Sequence, residues 1–386
     1  MSQKIEFVER AAKGEPIAAL CREFGISRTT GHKWTKRYAD KGYDGLDEES
    51  RRPKSAPLAT AEDIVVAVLE LRRAHPTWGP EKLAIVLRRR FKEQTPSKRT
   101  VARILRRAQL VRKRRKRRPL NIVERAPQQP ADAPNEVWTV DFKGWWRARN
   151  HELCQPLTVR DAFSRFVFAV VLCSTTTVEV RKIFEQLFRK HGVPSAIQCD
   201  NGIPFVSVQS PAGLSVLSAW WVSLGIRIVR SRLSCPQDNG AHERMHRDIA
   251  EATQHTPAAT AEQQQRLLDK WRQEFNHVRP HQALGGKTPA EVYTSIPVCA
   301  PPRAQEMCLA EHREVRINRS GCFKLGKETY FLTTSLAGFM IALELVDAFH
   351  VRTWFHGLDL GLIEIEPALD DTVYLRANKR VHGKVA

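Results

Sequence analysis

The sequence predicts a multi-domain protein: an all-α helix-turn-helix N-terminal region, a mixed α/β central domain and a small all-β C-terminal barrel. Three observations predict it. Residues 1–111 place apolar side chains at helical spacing, interrupted by short turns. From Val137 the texture changes to β-branched and apolar runs alternating with helical segments, the pattern of helices packed on a sheet. From about residue 300, short strand-like runs follow one another between Gly or polar turns. At 386 residues the chain has room for two to four domains and at least one sizeable core. The boundaries fall at 1–55 and 56–111 for two helix-turn-helix segments, 112–134 for a basic linker, 135–298 for the α/β domain and 299–386 for the β domain.

The first segment reads as three helices. "IEFVERAAK" puts Ile5, Val8 and Ala12 on one face, and "PIAALCREF" opens on Pro16, favoured at a helix start, and stops at Gly25. Ser27 is a candidate N-cap for "ISRTTGHKWTKRYADKG". A helix, a Gly-Ile-Ser turn and a helix with a polar first turn match the helix-turn-helix pattern, whose second helix faces base edges. That nominates Arg28, Thr29, Thr30, Lys33 and Lys36 for DNA contact. The second segment repeats the arrangement in "AEDIVVAVLELRRAH", "GPEKLAIVLRRRF" and "SKRTVARILRRAQLV". Ser97 caps its third helix, with Lys98, Arg99, Arg103, Arg106 and Arg107 along the polar side.

In the α/β domain "VWTVDF", "QPLTVRD" and "RFVFAVVLCS" read as strands. "TTVEVRKIFEQLFRKHG" follows as a helix, "SAIQC" as a strand, "SVLSAWWVSLG" as a helix and "IRIVRS" as a strand, and two more helices complete it. The β domain has five or six short strands, among them "TYFLTT", "MIALELV" and "FHVRTWF".

Charge narrows the partner. The net charge is +20, yet residues 1–50 are neutral, with nine basic and nine acidic side chains. Residues 51–134 carry +16 of the total, including "VRKRRKRRP", whose Arg112, Lys113, Arg114, Arg115, Lys116, Arg117 and Arg118 are consecutive. So basic a block points to a polyanion, most simply a nucleic acid. The eight cysteines are scattered with no C-x-x-C pair, which argues against a zinc site or disulfide framework. With no apolar run of membrane-spanning length and no signal-like N-terminus, a cytoplasmic protein without membrane contact is expected.

Several carboxylates stand out. Asp141 interrupts an apolar strand, where an unpaired charge is expensive. Asp200 follows "AIQC" at a strand's C-terminal end, where ligands of α/β sheets collect. In "CPQDNGAHERMHR" either Asp238 or Glu243 is a third. Carboxylates converging from strand ends and a helix suit hard divalent cations, and two such ions can clamp both oxygens of a phosphodiester displacement.

The wording around these acids goes further. "WTVDFKG", "DAFSRFV", "QCDNGIPF", "PQDNGAHERMH" and "FNHVRPHQALGGKTPAEVY" together resemble the integrase-type catalytic core of DDE transposases. That core is an RNase H-like domain shared by bacterial insertion-sequence transposases and retroviral integrases. The resemblance covers roughly residues 135–295, in strict order. It implies a metal-dependent DNA transposase using two Mg²⁺ ions per site, with Mn²⁺ as a substitute, held by Asp141, Asp200 and Glu243 as catalytic residues. It also implies double-stranded DNA as partner (element ends and target), a homodimer or higher oligomer on DNA, and a bacterial, nucleoid-associated setting. The alternative is a DNA-binding regulator with an inactive core.

Two departures from the family pattern are visible. Between Asp200 and Glu243 lie 42 residues (201–242), more than is commonest in the family, and Asp238 sits closer to the usual spacing. An inserted loop, "VSVQSPAGLSV", reconciles Glu243 with the pattern, and Asp238 before Asn-Gly is assigned to the turn. Leu233 and Cys235 stand where many relatives carry Pro and a small or basic residue. Of the neighbours, Arg244, His246 and Arg247 either touch DNA or cover the helix, and Arg244 and Arg247 are kept as DNA candidates. Asp161 is read as a turn residue, His281 as structural, and Trp145 and Trp146 as packing at the sheet end.

Overall fold

In the computed structural model, residues 2–48, 59–111, 130–231, 240–294, 313–326, 328–347, 349–366 and 374–375 are described. The chain divides into two compact units, Met1–Asp63 and Ile64–Ala386.

In the first unit, α1 (Ser2–Ala12), α2 (Ile17–Glu23) and α3 (Arg28–Lys41) wrap around Phe7, which meets the rings of Phe24 and Trp34 edge-on. Val8 and Leu20 complete that core, whereas Ala12, placed on the apolar face by spacing alone, is exposed at the helix end. The backbone N–H of Thr30 donates to Ser27 Oγ (3.2 Å), satisfying one of the free donors at the start of α3. Gly31 lets α3 pack closely: a Cβ there would stand 2.5 Å from Cys21 Sγ and 3.0 Å from the Phe7 ring.

Helix α4 (Glu62–Ala74) begins two residues before the second unit, in which it packs with α5 (Pro80–Phe91) and α6 (Lys98–Arg107) around Val68, Trp78, Leu83, Val101 and Leu105. Ser97 caps α6 by accepting from Thr100 N–H (3.3 Å).

The α/β domain is a five-stranded sheet. Its order is β5-β4-β1-β6-β7, from β1 (Val137–Phe142), β4 (Pro156–Asp161), β5 (Val167–Leu172), β6 (Ala196–Cys199) and β7 (Arg227–Arg230). Strands β1, β4 and β5 form an antiparallel meander, and β6 and β7 add in parallel. A short hairpin of β2 (Trp146–Arg147) and β3 (Leu153–Cys154) after β1 was not legible in the sequence.

Side chains alternate across this sheet. One face of β1 and β4 (Trp138, Val140, Leu157, Val159) packs on α7 (Thr177–His191) and α8 (Val216–Ser223) through Phe184, Phe188, Leu217 and Trp221. On the other face α9 (Gly240–Ile249) and α10 (Ala261–His277) cover β5, with Met245, Ile249, Leu268, Trp271 and Phe275 packed on Val167 and Val170. Each fully buried large side chain contributes about 1.5–3 kcal/mol. A single π-helical turn, Ala250–Gln254, extends α9. Helix α11 (Pro289–Val292) closes the domain.

The second helix-turn-helix segment docks on this domain. His75 Nδ1 lies 2.8 Å from Glu274 Oε1 on α10, its ring stacked on Trp78, and Arg89 pairs with Glu291 on α11 at 3.0 Å.

At the C-terminal end, β8 (Arg313–Arg316), β11 (Met340–Asp347), β12 (His350–Phe355), β13 (Leu358–Glu366) and β14 (Tyr374–Leu375) form an antiparallel sheet. Its order is β14-β13-β12-β11-β8, and β9 (Cys322–Leu325) pairs with β10 (Glu328–Phe331) beside it. The all-β character matches expectation, but among the described residues no closed barrel forms: the strands remain two separate antiparallel sheets. Their core, centred on Phe323, Tyr330 and Phe355, is continuous with Ala219 and Val222 of α8. Among the described residues no helix is long and apolar enough to cross a membrane.

Candidate active site and nucleic-acid interface

The alternation on β1 explains how a strand between two helical layers tolerates a carboxylate. Thr139 and Asp141 point opposite to Trp138 and Val140 and pair across the ladder with Arg160 and Thr158 of β4. That patch is polar throughout, and α9 lies over it. Asp141 ends this row with a side chain 19% exposed. Strand β6 runs parallel to β1 with Gln198 beside Thr139, so Asp200 follows at the same edge of the sheet as Asp141. Its Oδ1 accepts from Gly202 N–H at 3.2 Å, and a Cβ on Gly202 would stand 3.0 Å from Oδ2. Glu243 lies exposed in the first turn of α9.

Asp200 and Glu243 are both close enough to act on Asp141. Burial first, then the charge of Asp200 and also that of Glu243, push the Asp141 carboxyl from its ordinary 3.8 up to about 7, against the lowering effect of the Phe142 N–H. They are not drawn into a closed cage: among the described residues no group of three or more His, Cys, Asp or Glu is arranged to hold a metal ion. The donor set still fits a hard cation, since it is all carboxylate oxygen and its mutual repulsion is what a divalent ion relieves.

Beneath Asp141 lies a buried polar layer that the sequence reading missed. His242 is fully buried, with Nδ1 3.0 Å from Thr139 Oγ1 and Nε2 2.6 Å from Thr158 Oγ1. His246, one turn on, places Nε2 2.8 Å from the same Thr158 hydroxyl and Nδ1 4.0 Å from Asp141 Oδ2. Thr158 Oγ1 donates to the Asp141 carbonyl oxygen (2.9 Å), and Arg160 Nε donates to Thr139 Oγ1 (3.0 Å). Burial drives both imidazoles to the neutral form, pushing His246 down to about 3 and His242 well below its usual value. Farther along α9, Asp248 pairs with Arg279 at 2.6 Å. The i, i+4 spacing of His242 and His246 was a readable signal for an inward face, but their partners lie 84 to 103 positions away. Lys143 was also missed: its Nζ donates to Gln254 Oε1 (2.5 Å) and sits 5.0 Å over the Trp146 ring.

The other expected residues distribute as follows. On α3, Arg28, Thr29, Lys33 and Lys36 are exposed, while Thr30 is half-buried with its hydroxyl 2.8 Å from Ser27 Oγ in the cap. His32, which the sequence reading did not select, is exposed between them. On α6, Lys98, Arg99, Arg103 and Arg106 are exposed, Lys98 lying 3.8 Å from Glu81. On α9, Arg244 and Arg247 are exposed beside Glu243, whereas His246 turns inward. Asp161, the buried last residue of β4, accepts from the N–H groups of Asn135 and Ser164 and from the Ser164 hydroxyl. His281 packs against Phe275 and holds Lys287 O through its backbone N–H. The tryptophan pair divides: Trp146 is 7% exposed and packs as expected, but Trp145 is 64% exposed because the β2–β3 hairpin turns it outward. Arg112, Lys113, Arg114, Arg115, Lys116, Arg117 and Arg118, and likewise Leu233, Cys235 and Asp238, lie outside the described residues.

Comparison with known proteins completes the picture. Residues 3–54 match a helix-turn-helix domain family and residues 30–105 a homeodomain-like domain family. Residues 131–236 and 224–289 match two integrase core domain families. The chain is 27% identical over 284 residues to the uncharacterized 39.2 kDa protein of insertion element IS476 from Xanthomonas euvesicatoria, covering 72% of this chain and 78% of the relative. It is 25% identical over 291 residues to the uncharacterized 31.7 kDa protein of insertion element IS407 from Burkholderia multivorans, covering 75% and 91%. Among solved structures it is similar to the HTLV-2 integrase catalytic core domain in complex with magnesium, at 19% identity and a TM-score of 0.31, covering 43% of this chain and all of that one.

Proposed function

We infer that this chain, an insertion-sequence transposase with an integrase-like core and helix-turn-helix DNA-binding domains, cuts DNA at the ends of its element and joins the freed 3′-hydroxyls to target DNA. The observation that supports this reading is placement: Asp141 and Asp200 sit at one edge of the sheet on adjacent parallel strands, with Glu243 in the first turn of α9. Burial first, then the charges of Asp200 and Glu243, raise the Asp141 carboxyl. Two Mg²⁺ ions, or Mn²⁺, bound to these three side chains would activate the attacking oxygen and neutralise charge on the departing one. Asp141 and Asp200 supply oxygen donors from adjacent strand ends, and Glu243 supplies one from α9. Asp238 takes no part in the metal site.

The DNA roles belong to the same proposal. The exposed faces of α3 (Arg28, Thr29, Lys33, Lys36) and α6 (Lys98, Arg99, Arg103, Arg106) bind the element's ends, with Thr30 holding the first turn of α3. The run from Arg112 to Arg118 holds phosphate backbone, and Arg244 and Arg247 contact DNA beside the cut. Joining two ends at once calls for a homodimer or higher oligomer on DNA.

The test is cleavage and strand transfer on end DNA with Mg²⁺ and with EDTA. Asp200→Ala and Glu243→Gln abolish both reactions while leaving end binding nearly intact, and Asp238→Asn stays active. Undiminished cleavage by Asp200→Ala would sink the assignment. End binding by the wild-type chain with no metal-dependent cleavage would make it a regulator with an inactive core.

A further inference from the structure

The polar layer under Asp141 has a donor–acceptor order that can be worked out atom by atom. Thr158 Oγ1 has three partners: the Asp141 carbonyl oxygen, His242 Nε2 and His246 Nε2. A hydroxyl has one proton, and a carbonyl can only accept, so that proton goes to Asp141 O. Both imidazoles must therefore donate through Nε2–H. In the buried, neutral His242 this leaves Nδ1 as an acceptor for the Thr139 hydroxyl, whose oxygen in turn accepts from Arg160 Nε. The hydrogen bonds of Thr158 and Thr139 are then matched, and the tautomer of each ring follows from the Thr158 hydroxyl that its Nε2 meets.

The order has a direction. Thr158 is the cross-strand partner of Asp141, and the two histidines are one turn apart on α9, flanking Glu243 on one side and following it on the other. We propose that Thr158, His242 and His246 form a clamp that ties the backbone of Asp141 to α9, and so positions Asp141 relative to Glu243 for metal binding. The proposal rests on the acid-trio reading above. A layer serving stability alone would need matched hydrogen bonds but no particular link to Asp141. Here the hydroxyl that both rings share is the one bonded to the aspartate. Groups that orient a metal-binding carboxylate in this way typically change metal affinity by about 10–100-fold when lost.

The experiment uses the full chain. Mn²⁺ binding is followed by electron paramagnetic resonance without DNA, alongside the Mg²⁺ concentration giving half-maximal end cleavage. Thr158→Val, which keeps shape and removes the hydroxyl, is expected to weaken Mn²⁺ binding and raise the Mg²⁺ requirement by about 10-fold or more, with end binding unchanged. Thr158→Ser restores both. Thr158→Val with wild-type Mn²⁺ affinity overturns the clamp. Should Thr158→Val not fold, nitrogen-15 NMR of the wild-type imidazoles decides: both rings are expected as Nε2–H tautomers, and an Nδ1–H form of either overturns the order. Wild-type protein that binds Mn²⁺ no better than Asp200→Ala overturns the acid-trio reading instead, while the tautomer measurement still judges the hydrogen-bond order by itself.

Discussion

Replacing Asp141 with Asn gives a stability change whose size and pH dependence can be worked out beforehand. Its carboxyl rises from 3.8 to about 7 in the folded chain, because it is buried and faces Asp200 and Glu243. At roughly 1.4 kcal/mol per unit, ionising it in the metal-free fold costs about 4 kcal/mol. The side chain is only 19% exposed, so solvent screening removes little of that. The folded value lies above the unfolded one, so the protonated form's contribution is complete below about pH 4. It is lost as pH rises towards 7, and the loss levels off above. Asparagine has no such titration. In EDTA, Asp141→Asn should therefore match the wild type near pH 4 and exceed its stability at pH 8 by up to about 4 kcal/mol, read as the difference between denaturation curves. Adding Mg²⁺ at pH 8 should narrow the gap, because a cation relieves the wild-type repulsion and the variant has lost a ligand. An equal difference at both pH values, or a variant less stable than wild type at pH 8 in EDTA, refutes the reasoning.

Gly31→Ala forces a methyl against Cys21 Sγ and the Phe7 ring; overpacking of this kind costs about 1–3 kcal/mol. The N-terminal unit should melt earlier and end binding weaken, while Mn²⁺ binding stays as in the wild type; unchanged melting contradicts the close packing of α3. End binding should also fall steeply with salt, by about 0.9 in log K per log salt for each phosphate neutralised. Exchanging Arg114, Arg115 and Lys116 for Gln should flatten that dependence, and an unaltered slope separates the basic run from DNA.

Much of the fold was legible because its periodicities are strong. Ser27 and Ser97 were picked out as caps from residue type and position, and both accept the expected backbone hydrogen bond. The strand carrying Asp141 and the strand end at Asp200 were visible as apolar runs broken by an acid. What escaped depends on contacts distant in sequence. Nothing local marks Thr158 as the partner of two histidines, or tells Trp145 from Trp146, since a two-residue strand pairing decides which ring is covered. Ala12 was misplaced because its spacing fits a face that the helix abandons at its last residue, while Phe7 does the packing. Among the described residues the barrel does not close, because strand count alone does not determine which edges pair.

The two-sided character of β1 bears on errors during folding. A slip of one residue against β4 would reverse every side chain. Asp141 would then be driven into the aromatic layer around Phe184 and Trp221, and Trp138 and Val140 would be pressed onto His242. Such a misassembled sheet would bury a charge without a partner and strand two imidazoles without theirs. A wrongly registered chain would therefore be too unstable to accumulate, and the carboxylates of Asp141 and Asp200 could share one sheet edge only in the register that also completes the core.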